Sequence, residues 1–326
     1  MKILLIRHGE TVDNVAGIYA GTLDSSLTNH GLIQADRLGQ FLQRNGYRIR
    51  QIFSSDLQRA FLTARAIEKY QHDYSPSIKC LKNLREQDFG SFEGRKISSR
   101  PITSKSIDNN FIDEKNSTTR KVESKRSLDA RADNFIDNYL SSLPREETEN
   151  DTFAVVSHGI FLGYLWRAIL KRFSSSNIFI ESDLSRNLTG LNLKYIGNWS
   201  NTGYLEFDIT KERSIHVNSK PEHSSVSDTL PCQDAYDAGL QHTSGQDVDS
   251  YKSNNAKPCE NSKTINDSIF KCQFLHFFIE VKSINSQDHL DGLQKLRGGT
   301  GNLKYDPSQN KIDKYFQKAK KKQRTL

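Results

Sequence analysis

The apolar positions of the chain follow two periods in turn. Lys2–Ile6 is a short continuous apolar run, the pattern of a strand buried on both faces, and it runs straight into Arg7-His8-Gly9. After a Gly/Ser/Asp loop, Leu32, Ala35, Leu38 and Leu42 recur at helical spacing, and Gly46 predicts the stop. Ile52-Phe53 opens a second strand that ends at Ser54-Ser55. A helix follows, with Asp56 near its start and Ala60, Ala64 and Ile67 on one face. Leu128, Ala132, Phe135, Ile136, Tyr139 and Leu143 mark another helix. Thr152–Val156 is a strand entering Ser157-His158-Gly159, and Ile160–Ile169 is helical, with Leu165 on its apolar face. Gly203–Ile209 is again strand-like. Strands alternating with amphipathic helices predict an α/β fold, a three-layer sandwich with a mainly parallel central sheet and helices on both faces.

Past Ile209 the texture changes. Residues 216–268 are rich in Ser, Asp, Asn, Gln and Lys without any apolar period, the composition of a disordered insertion. Cys272–Val281 then returns as an aromatic, β-prone run, expected to be the last strand of the same sheet. Apolar residues make up 35% of the 326 positions and mean hydropathy is −0.68, as expected where part of a chain builds no core. No apolar run approaches the ~20 residues that span a bilayer, and Met1–Ile6 is too short for a signal peptide. Cys80, Cys232, Cys259 and Cys272 have neither CxxC pairing nor metal spacing, which argues against a disulfide scaffold or a zinc module; Cys80 and Cys272 read as small buried fillers. A soluble protein of the cytoplasm, the nucleus or both is expected, with no membrane partner.

The net charge of +7 is gathered at one end: from Gln309 onward seven Lys and Arg residues face one Asp, and the body is almost neutral. A uniformly basic face, and with it sequence-specific nucleic-acid recognition, is therefore not expected.

Parallel sheets place reactive residues at the carboxyl ends of strands. Arg7-His8, Ser54-Ser55 with nearby Arg59, and Ser157-His158 all occupy such ends, so the topology delivers two arginines and two histidines to one rim. That set suits an anionic phosphoryl group. Neutral imidazole is a good nucleophile near pH 7, so His8 could form a phosphohistidine. The guanidinium forks of Arg7 and Arg59 can grip phosphoryl oxygens, and His158 can add a donor. A leaving alkoxide needs a proton, and Glu86, in Asn83-Leu-Arg-Glu-Gln-Asp-Phe-Gly90, is the candidate acid. No metal or cofactor is called for by this chemistry, and no GxxxxGK[ST] loop is present.

These residues also carry a resemblance. Arg7-His8-Gly9-Glu10-Thr11 with Asn14, Ser54–Ala60 with Thr63-Ala64, Leu84-Arg85-Glu86 with Phe89-Gly90 and Glu93-Gly94, and Ser157-His158-Gly159 together resemble the histidine phosphatase (phosphoglycerate mutase-like) superfamily. The resemblance implies that His8 is phosphorylated, that Arg7, Arg59 and His158 line the phosphate pocket, and that Glu86 donates the proton. It places Asn14, Ala20 and Gly21 where family members contact substrate. Asn201-Thr202-Gly203 and Gln287–Leu293 are similar to TIGAR-type fructose-2,6-bisphosphatases. The expected substrate is a small phosphate ester, such as the sugar phosphate fructose 2,6-bisphosphate. Transfer of the phosphoryl group to a second hydroxyl, as in phosphoglycerate mutases, is the alternative within the same chemistry.

With the resemblance, residues 1–215 are expected to form a histidine phosphatase domain with a small cap region at about 95–125. The insertion occupies 216–268, residues 269–297 supply the last strand and the end of the catalytic domain, and 298–326 form a basic disordered tail. Many relatives carry Gly-Glu-Ser at the cap; this chain has Val122-Glu123-Ser124, with Arg131 downstream. The tail contains Gln309, Ile312, Tyr315 and Phe316 in a pattern that resembles PCNA-interacting peptides, with three apolar side chains on one side of a helical turn. A PCNA-binding nuclear protein whose phosphatase domain is secondary is the rival from a different class.

Overall fold

The computed structural model describes residues 1–72, 75–99, 120–143, 151–182, 184, 192–211, 274, 276–295 and 299–307. All belong to one unit, built from 1–211 and 273–326. Most of the expected cap, the insertion at 216–268, Cys232, Cys259 and Cys272, and the tail peptide from Gln309 to Phe316 lie outside the described residues.

The strands are β1 (Lys2–Arg7), β2 (Arg48–Ser55), β3 (Ser77–Leu81), β4 (Asp151–Ser157), β5 (Ile178–Ile180), β6 (Tyr204–Lys211) and β7 (Phe277–Ser286). They form one sheet in the order β3-β2-β4-β1-β6-β7-β5. β1, β2, β3 and β4 pair in parallel, as do β5 and β7; β6 pairs antiparallel with both its neighbours. The helices are α1 (Val12–Ala16), α2 (Asn29–Arg44), α3 (Gln58–Glu68), α4 (Lys125–Phe135) and α5 (Gly159–Leu170). A π-turn, Ile136–Leu140, prolongs α4. Among the described residues no helix is long and apolar enough to cross a membrane.

β1 explains why there are three layers. Its side chains alternate in direction, so Ile3 and Leu5 enter a core shared with α4 and α5, while Leu4 and Ile6 enter a second core shared with α2 and α3. All four are fully buried, each burial being worth roughly 1.5–3 kcal/mol. A strand covered on both faces has no polar side to keep, which is why its sequence reads as an unbroken apolar run.

One strand boundary differs from expectation, and two edge strands go beyond it. β2 begins at Arg48, because its outward arginines at 48 and 50 disguise the alternation and a bulge interrupts the register at Ile49/Gln51. The last long strand is described from Phe277, which pairs with Lys211 of β6; Cys272, its expected start, lies outside the described residues. Edge strands β3 and β5 carry little buried surface and, at five and three residues, are too short to show a period. Cys80, expected as a buried filler, is exposed on edge strand β3.

Candidate active site

The nucleophile candidate is held by its backbone from two sides. His8 N–H donates to Ser157 O at the end of β4 (3.0 Å), and Thr202 N–H, in the turn before β6, donates to Arg7 O (3.1 Å) and His8 O (3.2 Å). Gly9 follows because the chain there crosses α2 closely: a Cβ would stand 2.5 Å from Gly31 O. His8 Nδ1–H donates to Gly9 O at 2.7 Å. A carbonyl only accepts, so in the neutral ring the lone pair is on Nε2.

His8, Arg59 and His158 are buried, with 4%, 1% and 0% exposure, and the two imidazole centroids lie 5.0 Å apart. Arg59 Nε–H donates to His158 Nδ1 (3.2 Å), which leaves His158 Nε2–H to donate to Ser55 Oγ (2.9 Å). Both nitrogens of His158 are thus engaged. To serve as a phosphoryl donor, its Nε2–H must exchange Ser55 for a phosphoryl oxygen. The rest of the Arg59 fork donates to Leu23 O and Gly21 O, each at 2.7 Å, so this side chain also fixes the loop that carries Ala20 and Gly21. Arg7 Nη1 donates to Trp199 O, and its buried Nε has no hydrogen-bond partner among the described residues.

Burial is the largest influence on all four groups. It lowers both arginines from their ordinary values, opposed by the carboxylate of Glu86. It drives both histidines well below theirs, and the neighbouring guanidinium charges of Arg59 and Arg7 act in the same direction. Each imidazole is therefore neutral near pH 7.

Glu86 stands beside this cluster at the start of α5. That helix begins with His158, whose side chain makes no cap bond. Glu86 does the capping instead: Oε1 accepts from Phe161 N–H (3.0 Å) and Oε2 from Ile160 N–H (3.2 Å). This leaves the His158 imidazole available to the pocket. The Glu86 loop is in turn clamped by Arg131, which donates to Asn83 O (2.7 Å) and Arg85 O (2.9 Å) and pairs in a fork with Glu123 through two 2.8 Å bonds.

The structure therefore brings Arg7, His8, Arg59, His158 and Glu86 together. Asn14 sits one step away: its Oδ1 closes a capping box with Thr11 and accepts from Asn201 Nδ2 (3.0 Å), which also donates to His8 O (3.1 Å). Ala20 and Gly21 lie on the Arg59-bound loop. Gly21, at φ +54°, has no room for a Cβ, which would stand 2.2 Å from Glu93 Oε1. Glu93 anchors that loop by accepting from Thr22 N–H at 2.7 Å. Sequence reasoning passed over Asp24, which caps α3 by accepting from Gln58 N–H (2.8 Å), and the clamping role of Arg131. Asp24 has no sequence motif, and the Val122-Glu123-Ser124 string with Arg131 downstream does not reveal the clamp, since it acts on an element distant along the chain. Among the described residues no three His, Cys, Asp or Glu side chains are gathered as a metal site requires.

The model of the histidine phosphatase superfamily (branch 1) matches residues 3–181, more than half of the chain. This chain belongs to the histidine phosphatase superfamily. A probable phosphatase of Schizosaccharomyces pombe is 38% identical over 172 residues, which cover 52% of this chain and 56% of that protein. Fructose-2,6-bisphosphatase TIGAR of Xenopus tropicalis is 34% identical over 149 residues, 45% of this chain and 52% of that protein. The matched stretch thus spans about half the length of these curated relatives. Among solved structures, a mycobacterial glucosyl-3-phosphoglycerate phosphatase superposes with a TM-score of 0.45 at 22% identity, covering 63% of this chain and 89% of that one.

The lowered histidines set a pH signature. The unfolded chain protonates them near pH 6.5, while folded His8 and His158 stay neutral, so the unfolded state binds more protons and stability falls as pH drops below about 6.5. The loss should reach up to about 1.4 kcal/mol per pH unit per histidine. NMR titration of the imidazole carbons should show both rings still neutral at pH 6.5, where a free histidine is half protonated; ordinary midpoints near 6.5 for both would contradict this electrostatic picture.

Proposed function

We propose that this protein is a metal-independent phosphomonoesterase acting through phospho-His8. The observation that carries the reading is the His8 ring itself. Its Nδ1 proton is committed to Gly9 O, and its Nε2 lone pair belongs to a neutral imidazole packed with Arg7, Arg59 and His158. In the first step that lone pair forms the N–P bond as the ester P–O bond breaks. The electron pair leaves on the alcohol oxygen, which takes a proton from Glu86. Water then attacks phosphorus, the N–P bond breaks with its pair returning to Nε2, and the water proton returns to Glu86. The guanidinium groups of Arg7 and Arg59 offset the charge on the equatorial oxygens. The proposed substrate class is a sugar phosphate, with fructose 2,6-bisphosphate as the specific candidate on the likeness to TIGAR; Asn14, Ala20 and Gly21 are the proposed contacts outside the phosphate pocket.

His8→Ala should reduce hydrolysis, assayed in EDTA, to the uncatalysed background, and wild type should yield an acid-labile phosphohistidine. Equal rates in the two proteins end the proposal. Glu86→Gln should slow alkyl phosphates by at least about 10²-fold while aryl phosphates with good leaving groups lose far less. A uniform loss across leaving groups removes Glu86 from the acid role.

The tail string Gln309-Asn-Lys-Ile312-Asp-Lys-Tyr315-Phe316 supports a second, separable proposal: binding to the PCNA clamp by an apolar plug steered by the lysines that follow, in a nuclear pool of the protein. Purified clamp should be retained by the full chain and lost on combined Ile312→Ala, Tyr315→Ala and Phe316→Ala substitution. Equal retention by both proteins refutes it.

A further inference from the structure

We infer that His289 is a positioning residue for the nucleophile, latching through the Thr202 hydroxyl the turn 199–203 that seats Arg7 and His8. The inference rests on the phospho-His8 reading. Four residues of the turn, Trp199, Asn201, Thr202 and Gly203, hydrogen-bond Arg7 or His8. Trp199 O accepts from Arg7 Nη1, and Gly203 O accepts from Arg7 N–H (3.1 Å). Thr202 N–H donates to Arg7 O and His8 O, and Asn201 Nδ2–H donates to His8 O and Asn14 Oδ1. A shift of this turn therefore moves the His8 backbone, and the imidazole with it.

The turn is also strained. Thr202 is fully buried at φ +56°, a conformation that a β-branched residue adopts only when its surroundings hold it there. The holding contacts are specific. The Thr202 hydroxyl proton goes to Asn201 O (2.7 Å), so the hydroxyl oxygen can only accept from His289 Nε2–H, 2.8 Å away. His289 is itself fixed, with its ring centroid 6.2 Å from those of Phe41 and Tyr204. Its Nδ1 is buried with no hydrogen-bond partner among the described residues, so the Nε2–H bond to Thr202 is its one polar tie there. A second tether comes from the same stretch of chain, where Asn285 Oδ1 accepts from Ser200 N–H at 2.8 Å. Turn and latch both lie outside the family match at 3–181, and the latch is supplied by residues after the 212–272 segment.

The test uses the full chain. His289→Phe keeps a ring but removes the donor; His289→Gln keeps an N–H donor. His289→Phe should lower kcat roughly 10- to 100-fold with KM little changed, as expected when reacting atoms are misplaced by a fraction of an ångström to an ångström. His289→Gln should restore most of the loss. Thr202→Gly removes the hydroxyl through which His289 acts, so it should lower kcat much as His289→Phe does, and the two changes combined should lose little more than either alone. Equal losses in the Phe and Gln variants, or an undiminished His289→Phe effect in the Thr202→Gly background, would overturn the latch. Hydrogen exchange of the amides in residues 4–9 and 199–204 gives a readout independent of turnover: faster in His289→Phe, normal in His289→Gln. Unchanged exchange in His289→Phe refutes the latch even where phospho-His8 forms. Absence of phospho-His8 in the wild type removes the catalytic reading, while exchange still decides whether His289 holds the turn.

Discussion

Two guanidinium groups and two imidazoles are packed together at the end of β1, Arg59 and both imidazoles buried and Arg7 half-buried, and the surroundings of the site are arranged to make that burial tolerable. Like charges in a low-dielectric rim repel, and each loses its hydration. The protein offsets this by giving the N–H groups carbonyl partners, Gly21 O and Leu23 O for Arg59 and Trp199 O for Arg7, and by setting the Glu86 carboxylate nearby. The imidazoles adjust by staying neutral. A neutral His8 with its Nε2 lone pair is thus a consequence of the same desolvation that acts on the two guanidinium groups.

The loops around the pocket serve this arrangement through a division of labour at helix ends. His158 begins α5 without capping it, Glu86 caps α5 in its place, and Arg131 with Glu123 fixes the Glu86 loop. Asp24 likewise caps α3, whose first turn carries Arg59, and so couples the Gly21–Leu23 loop to the helix that bonds it. Polar residues outside the cluster of Arg7, His8, Arg59 and His158 therefore help to fix its geometry.

Much of the core was legible because burial leaves periodic traces. β1, β4, α2, α3 and α5 announce themselves through apolar runs or helical spacing, and all five site residues fall at their ends or in the loop beside them. The elements that escaped are those with little buried area, the edge strands β3 and β5. The exposed Cys80 fails for the same reason: residue type predicts average burial, whereas a position on an edge strand decides it.

By itself, then, the order of residues determined that an α/β sheet would carry Arg7, His8, Arg59, His158 and Glu86 to one rim, since strand ends and residue types are local properties. Tertiary structure alone decided which nitrogen of each imidazole holds its proton, that Glu86 caps a helix while facing the arginines, and that Thr202 is held at positive φ beneath His289. For His158, Glu86 and Thr202 those outcomes depend on hydrogen bonds between groups 103, 75 and 87 residues apart. No local periodicity encodes such pairings, because they exist only once the sheet has brought its strands side by side.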